Sequence, residues 1–148
     1  MRTTVEVSAT IGRPPHVVTG VILDPARAVL WNSDLEEFEV VAGEPGRVGA
    51  VGLLHYVPGG RRYVMEDTLL VAEPDKRYVS QVRGHGLSVQ VETVLAPIGD
   101  GGTLATVRWS GRGTRPLMWV LLPFMRKAIA RGARRDLDKL KHVVEQAQ

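Results

Sequence analysis

From Phe38 to Gly111 the chain is a succession of extended segments whose connections are too short for anything but turns. The segments are residues 38–42, 48–57, 62–72, 77–83, 87–96 and 103–111. Their separators are Glu44-Pro45-Gly46, Pro58-Gly59-Gly60, Glu73-Pro74-Asp75, Gly84-His85-Gly86 and Gly99-Asp100-Gly101-Gly102. A parallel neighbour needs a crossover of about a dozen residues or more, so strands joined this tightly pair antiparallel. A further strand precedes them. From Thr3 to Ile11, Val5, Val7, Ala9 and Ile11 alternate with Glu6, Ser8 and Thr10, the period of a half-buried strand.

Helices flank this sheet. Pro14 and Pro15 suit the first turn of a helix through His16 to Leu23, where a missing N–H costs nothing. Asp24-Pro25 starts a second short helix that runs to about Leu30. At the other end, Met118, Leu122, Met125, Ile129, Ala133, Leu137, Leu140 and Val144 recur every three or four residues and form one stripe. Lys127, Arg131, Arg134, Asp138 and Lys141 form the opposite one. Pro123 lies inside the pattern, so the helix either kinks there or begins afresh; Thr114, a good N-cap before Arg115-Pro116, favours the kink. From Pro123 to Ala147 the helix would run about 37 Å, enough to cross a small domain.

The 148 residues, 44% of them hydrophobic, suffice for one domain with a real core. There is no cysteine, hence no disulfide, thiolate metal site or thiol nucleophile. The first residues, Met1-Arg2-Thr3-Thr4-Val5-Glu6, carry no apolar secretory stretch, and a cytoplasmic location is the expectation. The net charge of +3 is uneven: residues 1–111 hold 10 Lys/Arg against 13 Asp/Glu, and residues 112–148 hold 9 against 3. Such a basic tail is either an electrostatic footprint for phosphate or anionic lipid or the wet face of an amphipathic helix.

Four stretches, taken together and in this order, resemble the START-like (SRPBCC) superfamily and, within it, the bacterial polyketide cyclase/dehydrase-like proteins. They are "VEVSATIGRPPHVVTGVILDPARAVLWN" (5–32), "AEPDKRYVSQV" (72–82), "LAPIGDGGTLATVRW" (95–109) and "LDKLKHVVE" (137–145). The resemblance implies an α+β helix-grip fold, START-like and birch-pollen-allergen-like, over residues 1–148 as a single domain. In it a curved antiparallel sheet wraps a long C-terminal helix, and two short helices follow the first strand. It also implies a cavity between sheet and helix for a hydrophobic or amphipathic small molecule: a lipid, an isoprenoid or a polyketide-like compound. The reaction, if any, has to come from the site itself.

Alternation assigns the inward faces. Tyr78, Ser80 and Val82 point in from one strand, Val89 and Val91 from the next, and Ala105, Val107 and Trp109 from the last. In residues 62–72 each parity contains an acid, Tyr63, Met65, Asp67 and Leu69 against Val64, Glu66, Thr68 and Leu70. Asp67 is then either a polar point in an apolar pocket or a structural residue that lies at a sheet edge or pairs with an arginine. Between His55 and Tyr56 one faces in. Met118, Leu122 and Met125 would floor the cavity, with Ile129 beyond them in the core and Trp119 and Phe124 near its edges; methionine suits such a plastic wall. The resemblance adds Trp31, matching the tryptophan after the second short helix that lies near the cavity mouth in relatives; otherwise it anchors the core. The expected lining is therefore Trp31, Tyr56, Tyr63, Met65, Asp67, Tyr78, Val91, Val107, Trp109, Met118, Leu122 and Met125. Asp136 projects near the apolar stripe, either in an internal salt bridge or at a fraying surface position.

Other chemistry finds no footing. His16, His55, His85 and His142 are scattered without metal-ligand spacing, so neither a metal nor any other cofactor is expected. Gly84-His85-Gly86 and Gly111-Arg112-Gly113 lack the context of a dinucleotide loop, and the serines sit in no nucleophile elbow. Aromatic residues are only 5% of the chain, which argues against a nucleic-acid partner. Two functions remain: carriage of a hydrophobic small molecule, or cyclase/dehydratase chemistry using His55, Asp67 or Tyr63 in the same cavity. A peripheral membrane contact through the basic face of the last helix is compatible with either, in a monomer or a homodimer.

Overall fold

Among the described residues seven strands pair antiparallel in one sheet of order β1-β7-β6-β5-β4-β3-β2. The computed structural model describes residues 2–146. The strands are β1 (Thr3–Ile11), β2 (Leu35–Ala42), β3 (Val51–Tyr56), β4 (Tyr63–Glu73), β5 (Arg77–Gly84), β6 (Leu87–Ile98) and β7 (Gly102–Gly113). Each is joined to its sequence neighbour by a short connection except β1, which closes on β7 from Thr3↔Gly111 to Ile11↔Thr103. Irregularities between Leu35 and Glu37, Val40 and Ala42, and Leu69 and Val71 interrupt the ladders. Bulges of this kind bend a strand and increase its twist, which helps the sheet curl.

Two strand boundaries differ from the sequence expectation by three residues, the others by two at most. β3 starts at Val51 rather than Val48, because Gly43, Gly46 and Gly49 adopt φ of 74°, 86° and 92° and hold residues 43–50 as a loop. β2 reaches back to Leu35, which is buried and pairs with Tyr56.

The helix α1 (Pro15–Ile22) begins at the second of its two prolines and buries Val18 and Val21. The second short helix is divided: a 3-10 turn Pro25–Arg27, capped by Asp24 accepting from the Ala26 N–H at 3.0 Å, runs into α2 (Ala28–Trp31). The terminal helix comprises α3 (Pro116–Leu121), a 3-10 turn Leu122–Met125 and α4 (Arg126–Gln146). Leu121, Leu122 and Arg126 all keep right-handed helical backbone angles. Pro123 therefore tightens one turn, where it cannot donate to the carbonyl four residues back. Thr114 is not the cap: Arg115 occupies that position without a side-chain bond, and the Thr114 N–H instead donates to the Gly86 carbonyl at 2.9 Å. Ala147, the expected last helical residue, lies outside the described residues.

Leu137, Leu140 and Val144 of α4 are buried against Val5, Ile11, Val18 and Val21. A second apolar cluster gathers Ala28, Leu35, Leu54, Met65, Val82 and Val89. Three cations of the helix close the open edge of the sheet. Arg126 donates to the Thr4 carbonyl at 3.1 Å, Arg134 to Ser8 at 2.6 Å and Lys141 to Thr10 at 2.7 Å. Part of the basic stripe thus covers carbonyls that an edge strand leaves unpaired.

Candidate functional site

Between the two clusters the sheet and α4 stand apart, leaving a cavity of about 320 Å³. Members of both clusters line it, Leu69, Leu137 and Leu140 from one and Leu54, Val82 and Val89 from the other. The α1–α2 connection and the 43–50 loop meet at its rim, where Leu23 packs against Gly46.

Of the residues singled out by the sequence, Trp31, Tyr56, Asp67, Tyr78, Val91, Val107 and Trp109 line this cavity. Tyr56 rather than His55 faces inward. His55 pairs with Glu39 at 2.8 Å through Nε2 and is absent from the lining.

Five expected lining residues lie elsewhere. Tyr63 is sandwiched between Tyr56 and His85, with ring centroids 5.1 and 4.4 Å apart, and so sits behind the wall. Met65 is buried in the second cluster with Leu54, Val82 and Val89. Met118 packs on Gly113 and Gly86, where β7 and the β5–β6 hairpin end, Leu122 is buried beside Met118, and Met125 is exposed. The helical stripe is continuous, but the sheet ends before its first turns, so the floor comes from Ala133, Asp136, Leu137 and Leu140 instead.

The polar groups in the wall are few. Asp67 on β4 is diagonal to Ser80 on β5 and hydrogen-bonds its hydroxyl. Burial dominates over that bond and pushes the Asp67 carboxyl up to about 6. Asp136, on the helix side, accepts from the Ser33 N–H at 3.0 Å and from the Ser33 hydroxyl at 2.6 Å. Burial, and then the charges of Tyr63, Asp136 and Asp67, hold the Tyr56 hydroxyl well above the usual phenol range, so it stays a donor. Burial and then Asp34 act likewise on Tyr63. Tyr78 contributes only its ring, since its hydroxyl is engaged by the Asp75 N–H at 2.9 Å and by Thr19 Oγ at 3.0 Å. Trp31 Nε1 is buried with no hydrogen-bond partner among the described residues. Chemically the cavity offers an apolar body, the Tyr56 hydroxyl and three carboxylates, Asp67 and Asp136 in the wall and Asp24, paired with Arg27, at the rim. Among the described residues no three His, Cys, Asp or Glu cluster as metal ligands.

Asp136 is the functional candidate that sequence reasoning misplaced. Its odd position on the apolar stripe is the signal. The partner is not a cation but Ser33, 103 residues earlier, which no local pattern could supply. Phe38 and Thr93 also line the cavity and carry no sequence mark that separates them from ordinary strand residues.

The sequence profile of the family described as polyketide cyclase/dehydrase and lipid transport matches residues 2–145. The chain belongs to that family. No curated protein matches it in sequence. Among solved structures, this cyclase/dehydrase-family chain is similar to the Zhui aromatase/cyclase of Streptomyces sp. R1128, with TM-score 0.81, 16% identity and coverage of 99% of this chain and 95% of that one. It is similar also to a START superfamily protein of Mycobacterium smegmatis, with TM-score 0.80, 15% identity and 97% of each chain covered. A third is the norcoclaurine synthase of Thalictrum flavum, solved with dopamine and hydroxybenzaldehyde, with TM-score 0.72, 12% identity and 100% and 89% covered. At these identities the likeness establishes the shared START-like helix-grip fold.

Proposed function

We propose that this family member holds a compact amphipathic small molecule, polyketide-like or isoprenoid in character, in the cavity under α4, as a binding or carrier protein. The observation that carries the proposal is the cavity itself, whose wall is apolar apart from a few groups such as Tyr56, Asp67 and Asp136. The volume of about 320 Å³ supports a small ring system rather than a two-chain lipid, being at the lower end of the roughly 300–1,000 Å³ of small-molecule sites. Mass spectrometry of natively purified protein should find a co-purifying amphipathic compound, and an apolar fluorophore should bind one to one. Ala133→Trp, which fills the floor, should abolish uptake while the fold persists. Protein that takes up neither compound nor fluorophore overturns the proposal.

A second reading, cyclase or dehydratase chemistry, draws support from Asp67. A carboxyl pushed up to about 6 can both take and return a proton near neutral pH. Asp67 would remove a proton from a carbon α to a carbonyl, while the neutral Tyr56 hydroxyl donates to the developing oxyanion. Turnover of a linear β-polyketone that Asp67→Asn abolishes, with fluorophore binding retained, would decide for the enzyme. Binding without turnover would decide for the carrier.

A further inference from the structure

The first two turns of the terminal helix are apolar on both sides. Met118 and Leu122 face the protein and dock the segment on the ends of β7 and the β5–β6 hairpin. Leu117, Val120, Leu121 and Phe124 follow at i, i+3, i+4 and i+7 on the other side and are 67, 63, 41 and 85% exposed. Trp119, at the margin of this stripe, is 63% exposed, and its indole N–H is fixed on the Gly113 carbonyl at 2.8 Å. Single exposed apolar residues need no explanation, but a contiguous ridge of large ones marks a contact surface.

Further along, the same face turns cationic. Lys127, Arg131 and Arg135 continue the progression from Phe124, and none has a hydrogen bond or ion pair among the described residues. Arg126, Arg134 and Lys141, by contrast, are engaged on the β1 edge. From Arg112 to Arg135 there are seven Lys/Arg and no Asp or Glu. A second copy of the chain seated on this face would set cation against cation. An anionic lipid surface meets both halves: its headgroups complement the cations, and the boundary beneath them accommodates tryptophan, phenylalanine and leucine.

We propose that residues 117–124 insert shallowly into an anionic membrane surface, with Lys127, Arg131 and Arg135 lying on its headgroups. The contact is peripheral, since among the described residues no helix is long and apolar enough to cross a membrane. It places the membrane-facing element on the helix whose later turns floor the cavity, and it stands independently of what the cavity holds.

Flotation tests this with vesicles of phosphatidylcholine alone and with about one part in three of phosphatidylglycerol, at low and moderate salt. The protein should float with the anionic vesicles and far less with neutral ones. Leu121→Asp/Phe124→Asp should lower partitioning about tenfold or more, since it removes two buried apolar side chains. Lys127→Glu/Arg131→Glu should lower it about tenfold on anionic vesicles only. Both pairs are exposed, so thermal unfolding should be unchanged. No flotation, equal binding to neutral vesicles, or indifference to either double variant overturns the proposal. So does a dimer in light scattering that L121D/F124D dissolves while the unaltered protein does not float, which would assign the ridge to self-association.

Discussion

Ser33 holds Asp136 with two hydrogen bonds to one oxygen, its N–H at 3.0 Å and its hydroxyl at 2.6 Å, and thereby ties the end of α2 to α4 beside the cavity. A hydrogen bond to a charged acceptor contributes about 1.5–3 kcal/mol. Ser33→Ala removes only the hydroxyl and should lower the unfolding free energy by about 1.5 kcal/mol. Asp136→Ala removes the one acceptor of both bonds and leaves the Ser33 N–H orphaned, so it should cost more; Asp136→Asn, which keeps an acceptor, should cost less than Asp136→Ala. Urea unfolding at neutral pH orders the three, and an Asp136→Ala variant as stable as the parent would contradict the role given to this pair.

Asp67 predicts a pH dependence of opposite sign to the usual carboxylate. Burial raises its folded-state value to about 6 from an ordinary 3.8. Between those values the folded chain keeps a proton that the unfolded chain has lost, so stability falls as pH rises through this window and is level outside it. The full effect is of order 3 kcal/mol. Asp67→Asn should abolish this slope and be the more stable protein at pH 7. The difference between the two proteins isolates Asp67, because Asp24 and Glu145, held low by Arg27 and Lys141, titrate in both. Denaturant curves at several pH values check it; parallel curves for the two proteins would refute it.

These two carboxylates also show what a sequence can and cannot disclose about such a site. Asp67 shares a parity with Tyr63, Met65 and Leu69, so its inward placement follows from strand alternation alone once the buried side is known. The turns between strands were as informative, because they fix antiparallel order without any tertiary knowledge. Asp136 has no such local frame: its acceptor role depends on Ser33 arriving from a distant turn. The cavity floor fails for a related reason. Helical periodicity puts Met118, Leu122 and Met125 in line with Leu137 and Leu140, but only the extent of the curled sheet decides which turns lie over it. Likewise His55 and Tyr56 exchange faces with a one-residue change of register, which the pairing of β3 with β2 and β4 fixes.

Trp31→Phe separates stability from binding. The substitution deletes the unpartnered N–H and keeps most of the ring, so a relief of about 1–3 kcal/mol offsets lost packing of similar size. The unfolding free energy of the empty protein should stay within about 1 kcal/mol of the parent. Affinity for the co-purifying compound should fall, because the ring that lines the cavity offers it less contact area. Titration calorimetry beside urea unfolding reads both; unchanged affinity would remove Trp31 from the recognition set.

The last prediction concerns two glycines on which the cavity's aromatic walls lie. The Trp109 indole crosses Gly111 on the same face of β7, so that a Cβ added there would come 2.5 Å from its Cη2, and Phe38 crosses Gly52 of the neighbouring strand even more closely. Both rings line the cavity. A strand glycine covered in this way allows close approach that any side chain would block. Gly111→Ala should drive the indole from its position and cost about 1–3 kcal/mol, as overpacked sites do. If the clash with the ring is the cause, Trp109→Leu should recover part of that cost, giving a coupling of about 0.5–3 kcal/mol in the double-mutant cycle. Fluorophore binding should fall in Gly111→Ala, where the displaced ring reshapes the cavity, and return in the double variant. Strictly additive stabilities would mean that Gly111 matters to the backbone and not to the ring above it.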